Sequence, residues 1–263
     1  MEKTISRDGT PIAFWRSGTG PPLLLVHGAT ADHSRWAAIS PRFEERFTAY
    51  AMDWRGRGGS GDGPVHSIWR ESEDVAAVVE VIGEPAFVVG HSYGATCSLE
   101  AALLTDRIRK LVLYEAPVPI GLSMYRPNVP DRMEALIEEG EREAALEVFM
   151  REVVRMPEDE LAAYRQLPPW QVRIQIASTI ARELMFDRTY RFDAGRFAAL
   201  HVPALLLLGG DSPTRVRRET EAVDAALPNS RVVVLPGQQH IAMDTAPELF
   251  VREVQGFLLE QDS

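Results

Sequence analysis

Phe87-Val88-Val89-Gly90-His91-Ser92-Tyr93-Gly94 decides the reading of this chain. An apolar run leads into the stretch and an alanine- and leucine-rich run leads out of it, so the pattern is a strand, a sharp turn and a helix with a serine at the apex. The glycines two residues either side of Ser92 carry no Cβ and so permit a close strand-to-helix approach. By composition alone Gly-x-Ser-x-Gly arises about 0.1 times in a chain of this size, so its context has to carry the reading.

Outward from that turn, short apolar runs alternate with helical patterns, which predicts a mostly parallel sheet covered on both faces. Thr4 to Ser6 and Ile12 to Arg16 flank an Asp8-Gly9 turn and are expected to pair antiparallel. Strands are then expected at Leu23 to Val26, Thr48 to Asp53, Phe87 to Val89, Lys110 to Glu115, Leu205 to Leu208 and Val232 to Leu235, eight in all. Helices are expected over Ser34 to Glu45, Ser67 to Ile82, the run after Ser92, Arg217 to Leu227 and Glu248 to Glu260. No internal repeat or low-complexity segment interrupts the alternation.

Between about Gly121 and Arg191 strand-like runs disappear. Val172, Ile176, Ile180 and Leu184 are spaced by four, and Ala145, Phe149, Val153 and Met156 nearly so, which predicts consecutive helices. The expectation is a core formed by residues 1–120 and 192–263 with a helical lid inserted at 121–191. Met124, Met133, Met150, Met156 and Met185 fall in the insertion, near Tyr164 and Trp170. Flexible thioethers and aromatic rings suit the wall of an apolar pocket, although any one of them is more simply read as glue between helices.

Composition narrows the functions. The chain has 263 residues, 45% hydrophobic and 25% charged, and 28 basic against 38 acidic side chains give a net charge of −10. That balance opposes binding to nucleic acid or an anionic membrane surface. The N-terminal residues lack a signal-peptide stretch and no apolar run approaches ~20 residues, so a cytoplasmic location is expected. Cys97, the single cysteine, reads as a small buried thiol, and no His/Cys spacing suggests a metal.

A serine hydroxyl becomes a useful nucleophile only when a base takes its proton. His240 is the candidate base: it follows the strand Val232 to Leu235 through Pro236-Gly237 and so lies on a loop at a strand's C-terminal edge, where ligand-binding groups of parallel sheets gather. Of the other histidines, His91 lies inside the turn, His66 and His201 in connecting segments, and His27 and His33 in the loop after Leu23 to Val26. Acyl transfer places negative charge on a carbonyl oxygen, and backbone N–H groups aimed at it are worth about 3–4 kcal/mol each. The residues after His27-Gly28 and after Ser92, Ala29 and Tyr93, can both present an N–H to one point above the sheet and form the candidate oxyanion pair. His27 itself reads as a hydrogen-bonded structural residue.

The strand ending in His27-Gly28, the segment Asp53-x-Arg55-Gly56-x-Gly58-x-Ser60, the turn Gly90 to Gly94 and the late His240 occur in the order and at the intervals of the α/β-hydrolases, and the chain resembles that family over nearly its whole length. The resemblance implies an α/β fold with a mostly parallel eight-stranded sheet flanked by helices, and a structural role for Asp53 to Ser60. It also implies a carboxylate behind His240. Family members usually carry it after the seventh strand as Gly-x-x-Asp-Pro, whereas Gly209-Gly210-Asp211-Ser212-Pro213 puts Ser212 in that slot and Asp211 one residue early. A second arrangement in the family places the acid at the end of the sixth strand, where Glu115 stands, as in the lactone-cleaving zearalenone hydrolases. Glu115 is favoured over Asp211 and both remain candidates.

The expected function is therefore a cofactor-free serine hydrolase acting on an ester or lactone with an apolar acyl or ring portion. Carbon-carbon bond hydrolysis by the same groups, and a non-catalytic small-molecule receptor, are the alternatives.

Overall fold

The computed structural model describes residues 1–121 and 125–261. Its centre is one eight-stranded sheet: β1 (Glu2–Ile5), β2 (Pro11–Gly18), β3 (Pro22–Val26), β4 (Thr48–Met52), β5 (Ala86–His91), β6 (Ile108–Tyr114), β7 (Ala204–Gly209) and β8 (Ser230–Leu235). The order across the sheet is β1-β2-β4-β3-β5-β6-β7-β8. The β1/β2 and β2/β4 pairs are antiparallel and the others parallel. Side chains alternate between faces, and β3, β5 and β7 are buried on both. Leu24, Val88 and Leu206 pack with Val75, Val78 and Val79 of α2 (Ile68–Ile82) and with α3 (Tyr93–Ala101), whereas Leu23, Leu25, Phe87 and Leu205 pack with Trp36, Phe43, Phe250 and Val254 on the opposite face.

The opening hairpin turns at Gly9, whose φ of 91° needs a residue without a Cβ. Ser67 caps α2 by accepting the Arg70 N–H, and Gly83 at φ 84° ends it. Strand ends lie within three residues of the sequence expectation. The helix expected over Ser34 to Glu45 is broken into a single 3₁₀ turn, His33–Trp36, and a short α1, Ser40–Glu44. Pro41 explains the break: its ring and missing N–H suit the start of a helix and interrupt its interior.

Between β6 and β7 the described chain holds helices only: α4 (Val129–Glu138), α5 (Arg142–Phe149), α6 (Glu158–Tyr164), α7 (Pro168–Gln175), α8 (Ala177–Leu184) and α9 (Phe186–Thr189), with a π turn at Met150–Val154. They enclose an apolar core of their own, including Met133, Leu146, Met150, Trp170 and Ile180. The regular stripe expected from Val172 to Leu184 is interrupted at Ile176, which ends α7 and precedes α8. Met133 and Met150 are fully buried in this core, and Met124 lies outside the described residues. The chain closes with α10 (Thr214–Ala226), α11 (Ala242–Thr245) and α12 (Pro247–Leu259). Among the described residues no helix is long and apolar enough to cross a membrane.

Candidate active site

Ser92 stands between the end of β5 and the start of α3 with φ 54° and ψ −128°, a conformation that a non-glycine residue holds only when its surroundings enforce it. The flanking glycines permit the close packing around it. A Cβ on Gly90 would lie 2.6 Å from Ala95 Cα, and one on Gly94 would lie 2.3 Å from the His27 carbonyl oxygen. Gly28, in the loop after β3, approaches so closely that a Cβ there would sit 2.9 Å from Ser92 Cβ. The elbow and the loop carrying Ala29 are therefore in direct contact. Tyr93 is the first residue of α3, and such an N–H has no acceptor within its own helix. Ala29 is half-buried and packs against the core cluster that includes Tyr93.

His240 follows β8, and its Nδ1 lies 2.6 Å from Glu115 Oε2. An ionised carboxylate only accepts, so Nδ1 carries the hydrogen and Nε2 is left with a free lone pair. Glu115 comes directly after β6, at φ 49°, with its side chain buried. Its other oxygen accepts the Gly209 N–H at 2.8 Å and the Ser212 hydroxyl. Burial alone would lift this carboxyl; hydrogen bonds from His240, Ser212 and Gly209 outweigh it and hold Glu115 below the usual carboxylate range. Asp211 is not brought to His240. It is exposed on the turn after β7, and its backbone N–H bonds to the Gln238 carbonyl at 2.9 Å.

The loop bearing His240 is pinned from below. His91 is buried, and burial, reinforced by the neighbouring His240, pushes its imidazole well below the ordinary value, so it is neutral; its Nε2–H donates to the His240 carbonyl at 2.8 Å. The Tyr114 hydroxyl donates to the Gln239 carbonyl and accepts the Ala242 N–H at 3.1 Å. The His91 and His240 rings stand 4.7 Å apart. Among the hydrogen bonds of the described residues none joins Ser92 Oγ to His240. The ring is instead presented over the residue adjoining Ser92, with its side chain 47% exposed.

Sequence reasoning missed Ser212, His91 and Tyr114 as the groups that orient Glu115 and His240. Ser212 carried a readable signal, since it occupies the slot where the family's acid usually stands. His27 is buried and its Nδ1 bonds to the Gly28 carbonyl at 2.8 Å, while burial, reinforced by Arg57, pushes it down to about 3, which fits a neutral structural group. Asp53 accepts the His33 and Gly59 N–H groups, each at 2.8 Å, and holds the turn after β4. Cys97 is buried one turn into α3. Among the described residues no group of three His, Cys, Asp or Glu is arranged to hold a metal ion.

Residues 23–253 match the model of the Alpha/beta hydrolase family. A solved α/β hydrolase from Sphaerobacter thermophilus is similar at 36% identity and a TM-score of 0.86, covering 98% of this chain and all of that one. The 2-(acetamidomethylene)succinate hydrolase of Mesorhizobium japonicum is 27% identical, with 92% of this chain and 89% of the relative aligned. The N-formylmaleamate deformylase of Pseudomonas putida is 26% identical, over 85% of this chain and 83% of the relative.

Proposed function

Since the chain belongs to the alpha/beta hydrolase family, we propose that it is a serine hydrolase that opens a carboxylic ester or lactone through an acyl-enzyme on Ser92. His240 Nε2 removes the Ser92 proton as Oγ bonds to the carbonyl carbon, and the oxyanion receives the N–H groups of Ala29 and Tyr93. The tetrahedral adduct collapses, the carbon–oxygen bond to the alcohol breaks, and His240 returns the proton to the departing oxygen. Water then repeats the sequence on the acyl group: His240 takes a proton from it and hands it back to Ser92. Glu115 keeps the hydrogen on Nδ1 throughout and stabilises the imidazolium. The helices between β6 and β7 serve as a lid over the elbow and give the acyl or ring portion its apolar wall. No cofactor enters any step.

The observation that carries this reading is the polarised His240, whose Nδ1 is committed to a buried carboxylate 2.6 Å away while its ring stands 4.7 Å from that of His91, the residue before the strained Ser92. The contact still to be made, Oγ to Nε2, belongs to a class that is often long without substrate and tightens in the Michaelis complex.

A second reading is acyl transfer from nitrogen by the same groups, favoured by the names of the relatives from Mesorhizobium japonicum and Pseudomonas putida, a hydrolase of an acetamido compound and a deformylase of an N-formyl compound. Carbon-carbon hydrolysis next to a ketone would use the same serine and histidine. A panel of p-nitrophenyl esters, lactones, N-formyl amides and a dienoate diketone separates the three. Ser92→Ala is expected to fold normally and to lose turnover of whichever class is accepted; retained turnover would refute the assignment of Ser92. A fluorophosphonate probe that labels Ser92 would set aside the non-catalytic receptor.

A further inference from the structure

Glu71 is a fully buried carboxylate on α2 that none of the steps above uses. A charge in that position is costly unless it is paired and hydrogen-bonded. Both its oxygens are taken: Oε2 accepts the Tyr93 hydroxyl, and Oε1 lies 3.1 Å from His66 Nε2. Burial, which favours the neutral acid, is outweighed by His66, Tyr93 and Arg57, and Glu71 lies below the usual carboxylate range. Burial and the Glu71 charge push the Tyr93 phenol well up, so it remains a donor.

Tyr93 is the residue after the elbow serine. Its ring packs edge-on against Trp54, with centroids 6.0 Å apart, and against Phe186 of α9 at 5.7 Å. Trp54 in turn donates its indole N–H to the His27 carbonyl at 3.1 Å. His27 leads directly into Gly28-Ala29. One chain of contacts thus runs from Glu71 through Tyr93 and Trp54 to the loop after β3, and Tyr93 and that loop are the two segments that would hold an oxyanion.

We propose that Glu71, acting through the Tyr93 hydroxyl and the Trp54 indole, is the positioning residue that sets the direction and separation of the Ala29 and Tyr93 N–H groups. The inference rests on the serine-hydrolase reading above. Its physical basis is geometric. Oxyanion donors must lie about 2.7–3.1 Å from the developing charge, and a misplacement of about 1 Å costs on the order of 100-fold in rate. Tyr93 follows directly on a residue at φ 54°, so backbone relaxation at Ser92 would turn the Tyr93 N–H. Glu71 holds that residue by the far end of its side chain, where Gly90 and Gly94 cannot act.

Tyr93→Phe removes the hydroxyl and keeps both the ring and the backbone N–H. With the full chain and a p-nitrophenyl ester, kcat is expected to fall about tenfold with KM within about twofold, because the oxyanion contacts that the hydroxyl positions are made only in the transition state. Affinity for a trifluoromethyl ketone, whose adduct carries the oxyanion, should fall by the same factor. Glu71→Gln retains an acceptor for the hydroxyl and should keep more of kcat than Glu71→Leu. Fluorophosphonate labelling of the unsubstituted chain, absent in Ser92→Ala, is run alongside. Labelling together with an unchanged kcat and ketone affinity in Tyr93→Phe, even with a lowered Tm, would overturn the inference and leave the hydrolase reading standing. If the unsubstituted chain is not labelled and turns over none of the substrates, both fall.

Discussion

The C-terminal edge of the sheet and the helical insertion are built by different means. At the edge the geometry lies in the backbone: Thr30, Ser92 and Glu115 all hold positive φ, and Cβ atoms added at Gly28, Gly94 or Gly209 would come within 3 Å of their neighbours. In the insertion Arg155 is the one non-glycine residue at positive φ among those described, and its helices depend on a separate apolar core. The insertion meets the rest of the molecule partly through charge. Arg57, in the turn after β4, is buried, donates to Thr179 at 2.7 Å and pairs with Glu183 of α8, while Arg182 pairs with Asp62 at 2.9 Å. Backbone-defined positions tolerate few residue types and so leave recognisable motifs. Side-chain packing admits many solutions and leaves only a rhythm.

The largest expected effect tests the edge. Glu115→Gln should lower kcat by on the order of 10⁴, the loss seen when a triad carboxylate is made neutral, while Asp211→Asn stays within about twofold. Steady-state kinetics on one ester decides it, and the reverse result would move the acid to the turn after β7. A companion measurement follows from the sign of the Glu115 shift. A carboxyl whose folded value is below its unfolded value of 4.5 stabilises fully above pH 4.5, and that contribution fades as pH falls through the lowered folded value. Urea midpoints should therefore drop more steeply below pH 4.5 in the unsubstituted chain than in Glu115→Gln. Parallel acid limbs would break the assignment.

Next in size is the seam between the two regions. Arg57→Met removes a buried cation and leaves Glu183 without a counter-charge, which should cost about 3–5 kcal/mol by denaturant unfolding. Burial already lifts the Glu183 carboxyl against the pull of Arg57. A carboxyl raised in the folded state loses its favourable contribution as pH rises from the unfolded value of 4.5 through the raised one, so the cost should be greater at about pH 8 than at about pH 5. An equal cost at both would show that the pair is solvated.

The same contrast explains what the chain discloses before its structure is known. Strand positions were readable because each strand is an apolar run bounded by turn residues, and the antiparallel opening pair because β1 to β2 turns at Asp8-Gly9. The elbow and the loop after β3 were readable because their glycines are required by contact. Glu115 was favoured over Asp211 only through the family resemblance, because the choice depends on how the ends of β6 and β7 lie side by side, and Ser212 is 97 residues from Glu115. His91 and His240 are 149 residues apart, and Glu71 and Tyr93 22, so their hydrogen bonds leave no local pattern. In the insertion the spacing of four ran across a helix boundary at Ile176, and periodicity could not register it.

That boundary supplies the smallest and most discriminating effect. A continuous helix from Val172 to Leu184 would bury all four members of the stripe, whereas the break leaves Val172 47% exposed on α7 and Ile180 fully buried on α8. Ile180→Ala should then cost about 2–5 kcal/mol, the range for emptying a packed site, and Val172→Ala should stay within about 0.5 kcal/mol, as surface substitutions do. Comparable losses at the two positions would mean that the helices form one amphipathic rod, and the insertion would then be as regular as the sequence rhythm implied. A loss confined to Ile180 places the insertion's stability in its own core, independent of the strained backbone that holds Ser92.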